Sequence, residues 1–180
     1  DLPMPISGGD TATGQAADGI YAYNTSSGSL FVDGISYTDV NQGYAGTCYA
    51  IAAFLAAART NPSIIENMFI ENPNGTYGVK FYFDGEPVYT TINNELPVTY
   101  SGSQQIVFAG NSSKNLNGET WVTQLEKAYA QVNSQVNLKA ESNWNDSPTL
   151  RNSYQFMEGG LAYPLKQMTN LSFDYFTCKN

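Results

Sequence analysis

An α+β fold is what this sequence predicts, and three observations carry it. Residues 48–59 form an almost unbroken apolar, alanine-rich run that begins at Cys48 and is stopped by Asn61-Pro62, the pattern of a buried helix. Residues 77–83 and 87–92 are aromatic and β-branched runs joined by Asp84-Gly85-Glu86, the turn chemistry of a hairpin. Residues 119–132 carry Trp121, Leu125, Ala128 and Tyr129 at spacings of three and four, the period of an amphipathic helix. Helix, then hairpin, then helix is an α+β order.

Taken along the chain, residues 1–30 are rich in Gly, Ser, Thr, Ala and Asp, show no helical period, and read as an extended, partly mobile arm. The main lobe is expected over residues 31–170, with residues 171–180 beginning a linker. The helix headed by Cys48 is so uniformly apolar that burial on most sides is expected. Residues 63–69 follow as a short helix, closed by the turn Asn72-Pro73-Asn74-Gly75. After the hairpin a further strand is expected at residues 105–109. The helix at 119–132 leads into a Ser- and Asn-rich surface loop over residues 133–152. Gly159-Gly160 then make a sharp turn before a last helix over residues 161–168.

Length and charge narrow the class. A chain of 180 residues can bury its own core without metal or disulfide staples. No apolar stretch approaches the ~20 residues that span a bilayer. Eight Lys+Arg against 16 Asp+Glu leave a net charge of −8, which disfavours a phosphate backbone and suits cation binding or an extracellular life. Nucleic acid is therefore not an expected partner. The two cysteines, Cys48 and Cys178, lie far apart, and with no histidine in the chain a thiolate zinc site lacks ligands. A disulfide between them would consume the one thiol that follows a Gly-rich turn and heads a helix. The first residue is Asp with no leader before it, so an N-terminus made by processing or engineering is expected.

The chemistry concentrates in Gln42-Gly43-Tyr44-Ala45-Gly46-Thr47-Cys48-Tyr49. A thiol at the first turn of a helix gains thiolate character from the macrodipole and the unpaired amides. Cys48 is thus a candidate nucleophile. A glutamine shortly before it can aim an amide N–H beside the Cys48 backbone N–H, forming a two-donor oxyanion hole, and Gln42 is that candidate. Gly43 and Gly46 are read as letting the backbone turn tightly between the two. A thiol protease also needs an imidazole, which this chain does not contain.

This segment resembles the nucleophile motif of the calpain family, with Thr47 and Tyr49 in place of the family's usual Asp and Trp. Trp121-x-x-x-Leu125-Glu126-Lys127-Ala128-Tyr129-Ala130 is similar to a second family signature, and Glu158-Gly159-Gly160 followed by the stretch to Met168-Thr169 to a third. The similarity runs from about residue 31 to 169. It implies a papain-like cysteine protease core of two lobes, of which this chain is the first. Catalytic His and Asn would come from a second lobe or chain, protein or peptide would be the substrate, and the lobe alone would be inactive. The resemblance also implies calcium, held by the carbonyls of Val32 and Gly34 and the carboxylates of Asp39 and Glu119, the oxygen set a hard cation takes. The acidic, Asn-rich style is more similar to bacterial, secreted members than to animal ones.

Blander readings stand beside these. A cysteine before an Ala-rich helix can be an inert core residue, Gln42 can cap a loop, Asp39 can be a turn residue, and Glu119 can be a helix N-terminal charge. Trp121 and Tyr129 suit the core, and Cys178 is read as incidental. The acidic surface accounts for Glu66/Glu71 and Asp84/Glu86 without acid–base chemistry. For the whole chain the alternatives to a protease lobe are a non-catalytic calpain-like binding or scaffold module, or an inhibitory fragment.

Overall fold

The structure, a computed structural model, describes residue 5 and residues 21–99, 104–136, 152–154, 157–161 and 163–172. In order these form β1 (Tyr21–Thr25), a 3-10 turn (Tyr37–Asp39), α1 (Cys48–Thr60), α2 (Ser63–Glu66), β2 (Phe69–Glu71), β3 (Tyr77–Phe83), β4 (Glu86–Ile92), β5 (Glu95–Thr99), α3 (Trp121–Val132) and α4 (Tyr163–Thr169). Mixed helix and antiparallel sheet is the α+β class expected. Cys178, most of the loop at 133–152 and the linker from residue 173 onward lie outside the described residues.

The three-stranded sheet runs β2-β3-β4, all antiparallel. Val79, Phe81 and Phe83 alternate inward on β3, as period-2 patterning demands of a half-buried strand. The hairpin loop is two residues, since Phe83 pairs with Glu86. Asp84 and Gly85 both have positive φ, 51° and 86°, the geometry that matches strand twist and that Asp-Gly supplies cheaply. The inward face meets the helices, with the Phe81 ring 5.7 Å from that of Tyr129 on α3.

Three expectations need correction. The arm at 1–30 contains β1, paired antiparallel with β5 from Tyr21↔Thr99 to Thr25↔Glu95, and Leu30 is buried. β5 had no expected counterpart, whereas residues 105–109 form only single bridges, Val98↔Ile106 and Gln105↔Asn115. β1 and β5 are distant in sequence, so neither reveals its partner locally. Leu96, Val98, Ile106 and Leu116 instead make a small second apolar cluster under this region. The short helix ends at Glu66, and Phe69 belongs to β2.

The helices also exchange their expected characters. On α1, Ala50, Ile51, Ala53, Phe54, Ala57 and Ala58 are buried, but Cys48, Ala52, Leu55 and Arg59 form an exposed stripe. α3, by contrast, is buried at all twelve residues. Many of its polar groups are satisfied by distant segments, as buried polar groups generally are, while Thr123 Oγ1, Gln124 Oε1 and Gln131 Oε1 are buried with no partner among the described residues. Gln124 Nε2 donates to Asn94 Oδ1 at 3.0 Å, Gln131 Nε2 donates to Thr91 O at 2.6 Å, and Tyr129 OH donates to Gln167 at 2.7 Å. Lys127 Nζ donates to Asn93 Oδ1, Asn93 O and Glu95 O at 2.6, 3.0 and 2.6 Å. Burial pushes the Lys127 ammonium down to about 7, with Glu95 opposing.

Lys127→Met keeps the aliphatic stem but strands these acceptors in the interior. It is expected to cost roughly 3 kcal/mol, read as a Tm lowered by roughly 6–12 °C in thermal unfolding. A Tm within 2 °C of wild type would show that the three bonds are energetically idle.

Candidate active site

The loop entering α1 is held from three sides. Asn41 and Gly110 exchange backbone hydrogen bonds at 3.1 and 3.0 Å, and Tyr44 N donates to Val107 O at 3.2 Å. Gly159 N donates to Gly46 O at 3.0 Å. Here the structure corrects the role of the two glycines. Neither is among the positive-φ residues, so neither makes a turn that only glycine allows. A Cβ on Gly43 would instead lie 2.2 Å from the Phe108 carbonyl carbon, and one on Gly46 would lie 3.3 Å from Glu158 Cβ. Both are glycine because other chain segments approach closely.

The fourth contact comes from α3. Thr47 Oγ1 donates to Glu126 Oε1 at 2.5 Å, and Ala109 N donates to Glu126 Oε2 at 2.8 Å. Thr47 and Glu126 are both buried. Burial pushes the Glu126 carboxyl up, while these two donors and Lys114 pull it down. Lys114 itself bonds the same layer, donating to Phe108 O at 2.7 Å and Asn41 O at 3.2 Å. The Thr47 carbonyl starts the helix by accepting from Ala50 N and Ile51 N, but its hydroxyl is turned to Glu126 and does not cap α1. An uncapped helix N-terminus presents amides and partial positive charge to whatever sits there.

What sits there is Cys48, an exposed free thiol at the first residue of α1. The inert-core reading of Cys48 therefore does not hold. Gln42 is exposed at the other end of the loop, and its Nε2 donates to Ala45 O at 3.1 Å. One amide N–H is thus engaged inside the loop, and the group has a second to offer. Beside it lies a cavity of about 270 Å³ lined by Gln42, Tyr44, Thr99, Gln105, Ile106 and Lys114, among others. Tyr49 follows Cys48, and burial and the neighbouring Tyr129 raise its hydroxyl well above the ordinary value.

The carboxylates expected to hold a cation also meet. Trp121 N donates to Leu30 O at 3.0 Å, which brings the loop at 29–39 to the head of α3. Val32 N donates to Glu119 Oε1 at 2.7 Å, and Trp121 Nε1 donates to Asp39 Oδ2 at 3.3 Å. Asp39 also closes a capping box with Ser36, so its turn role is real as well. Asp33 and Gly34 between them have φ of 57° and 90°, a sharply folded loop. Partial burial and the nearby Asp39 and Asp33 carboxylates push Glu119 up to about 7, against its hydrogen bond from Val32. Like charges held this close suit a cation. Among the described residues no three acidic, His or Cys side chains converge, so the set would consist of two carboxylates completed by backbone oxygens.

Sequence reading missed the Thr47–Glu126 contact. A glutamate inside an otherwise core-facing helix was its available signal.

Comparison with known proteins bears on the family. The model of the calpain family cysteine protease matches residues 22–155, starting within β1. Calpain-B of Drosophila melanogaster is 36% identical over 110 residues, 57% of this chain and 11% of that protein. A calpain-type cysteine protease of Oryza sativa, ADL1, is 32% identical over 136 residues, 74% of this chain and 5% of that protein. Calpain-5 of Rattus norvegicus is 32% identical over 114 residues, 57% of this chain and 17% of that protein. The chain thus spans a small part of each relative's length, and it belongs to the calpain family of cysteine proteases.

Proposed function

We propose that this chain is the nucleophile-bearing part of a calpain-like cysteine endopeptidase. The observation that supports it is an exposed thiol, Cys48, at the uncapped N-terminus of a packed helix. In the proposed reaction the Cys48 thiolate attacks a peptide carbonyl, and Gln42 and the Cys48 amide receive the oxyanion. An imidazolium protonates the departing amine, and water then releases the acyl group from sulfur. The sequence holds no histidine, so the imidazole, with an Asn to orient it, comes from a second lobe or chain. The exposed α1 stripe of Cys48, Ala52 and Leu55 is the face such a lobe would cover. The missing histidine equally favours a second reading, a non-catalytic module. A coexpressed segment carrying His followed by Asn should restore peptide hydrolysis, and failure with every such segment from the same gene or operon would favour the module.

Calcium belongs to the same proposal, with Asp39 and Glu119 as carboxylate ligands and Val32 and Gly34 as carbonyl ligands. Glu119 titrates near 7 against an ordinary 4.5, so the folded state holds this proton more tightly than the unfolded. That contribution to stability is present below 4.5 and is lost as pH rises through about 7. A cation replaces the proton, so apparent calcium affinity should rise as pH passes through about 7. At a hundredfold excess over Kd it should stabilise by about 2.7 kcal/mol. Thermal unfolding at pH 6 and pH 8 with calcium or chelator measures this, and Asp39→Ala should abolish the difference. A Tm indifferent to calcium at both pH values would sink the assignment.

A further inference from the structure

We propose that Glu126 is a positioning residue of the nucleophile, one buried carboxylate that fixes Cys48 relative to the Gln42 side of the site. The proposal rests on Cys48 being the nucleophile. One carboxylate oxygen accepts from Thr47, the residue immediately before Cys48, at 2.5 Å. The other accepts at 2.8 Å from Ala109 N, in the segment that carries the far end of the loop through Asn41–Gly110 and Tyr44–Val107. The two ends of the site, Gln42 and Cys48, are thereby tied to opposite oxygens of one rigid, planar group. Glu126 stands on α3, whose buried residues anchor it to β4, the β4–β5 link and α4. The nucleophile is thus referenced to the centre of the fold and not to its own loop.

The Thr47 hydroxyl is the revealing detail. Threonine before a helix ordinarily caps it by accepting from the N2 or N3 amide. Here the hydroxyl serves Glu126 and makes no cap bond to the first-turn amides of α1. One contact therefore places Cys48 and leaves the donors beside it open to the developing oxyanion.

Thr47→Val tests this because valine keeps the shape, removes only the donor to one Glu126 oxygen and leaves the Ala109 bond to the other in place. In the assembled protease kcat should fall about ten- to a hundredfold with KM within about twofold, the signature of a site misaligned by a fraction of an ångström. Thr47→Ser should recover to within about threefold. Glu126→Gln, which can accept from Ala109 N while donating to the Thr47 oxygen, should lie between Thr47→Ser and Glu126→Leu, and Thr47→Val with Glu126→Leu should lose no more kcat than the worse single variant. A folded Thr47→Val with a lowered Tm and unchanged kcat would overturn the proposal and leave the contact merely structural. Peptidase activity that is absent in wild type, or that survives Cys48→Ala, would instead overturn the nucleophile assignment on which it rests.

Discussion

Cys48→Ala is expected to remove peptide hydrolysis by about 10⁴-fold or more, because no neighbouring atom can take over the covalent step. Its effect on the fold should be slight. Cys48 is exposed at the head of α1, and substitutions at such positions stay within about 0.5 kcal/mol, or about 1–2 °C in Tm. Hydrolysis and thermal unfolding of the same preparation measure the two halves of this expectation. A thiol-directed epoxide should label Cys48 in preference to Cys178. Retained hydrolysis in the variant would exclude the covalent mechanism, and a Tm loss of several degrees would move Cys48 from site to scaffold.

A nucleophile at an exposed helix end, as proposed for Cys48, is useful only if the helix end is immobile, and here the loop is held by polar contacts. The apolar core fixes where α1 lies through Phe54, Ala57 and their neighbours. It does not fix the residues before Cys48, which reach the surface as a loop. That loop is held by Glu126, by the Asn41–Gly110 exchange and by Gly159. Lys127 and Gln124, on the same helix, hold the β4–β5 link, and Gln131 holds β4 at Thr91. A helix buried at all twelve positions yet rich in polar side chains is stable only because each of its hydrogen-bonding segments is native.

Much of this was legible in the sequence, and the failures have a common cause. α1, the β3–β4 hairpin and α3 were readable because their periodicity, end signals and turn residues are local. The family itself was readable from three ordered motifs. β1 and β5 escaped because a strand pair distant in sequence leaves no local mark, and β5 contains Pro97. Apolar content put α1 in the interior and a mixed pattern put α3 at its edge. The structure reverses this, since Leu55 and Ala52 face out while Glu126 and Lys127 face in with their partners. For the site, Cys48 was marked by its place at the head of a helix, and Asp39, Glu119, Val32 and Gly34 were named by the family resemblance alone; spacing could not show that Asp39 and Glu119 approach each other, or that Val32 N donates to Glu119. The Glu126 contact and the reason for Gly43 required three dimensions.

Gly43→Ala should be the most damaging single methyl group in the site. Its Cβ would stand 2.2, 2.3 and 2.4 Å from the carbonyl carbon, oxygen and Cα of Phe108. Phe108 cannot yield cheaply. Its ring stacks on Tyr154 at 3.9 Å, its carbonyl accepts from Lys114 at 2.7 Å, and its neighbours carry the Asn41–Gly110 and Tyr44–Val107 bonds. Relief requires the 41–44 segment to part from 107–110 by about an ångström, with those bonds lost, at roughly 3 kcal/mol or more. A displacement of that size in the strand of chain that bears Gln42 should lower kcat about a hundredfold or more. Gly46→Ala meets only the Glu158 side chain at 3.3 Å, so a loss of roughly 1 kcal/mol is expected there. Gly43→Asn separates close approach from turn geometry. Asparagine tolerates positive φ, so it would rescue a glycine needed for a turn, but it should do no better than alanine against the Phe108 backbone. Urea unfolding of the three variants decides the matter, and a Gly43→Asn as stable as wild type would return Gly43 to the turn role that its sequence context suggested.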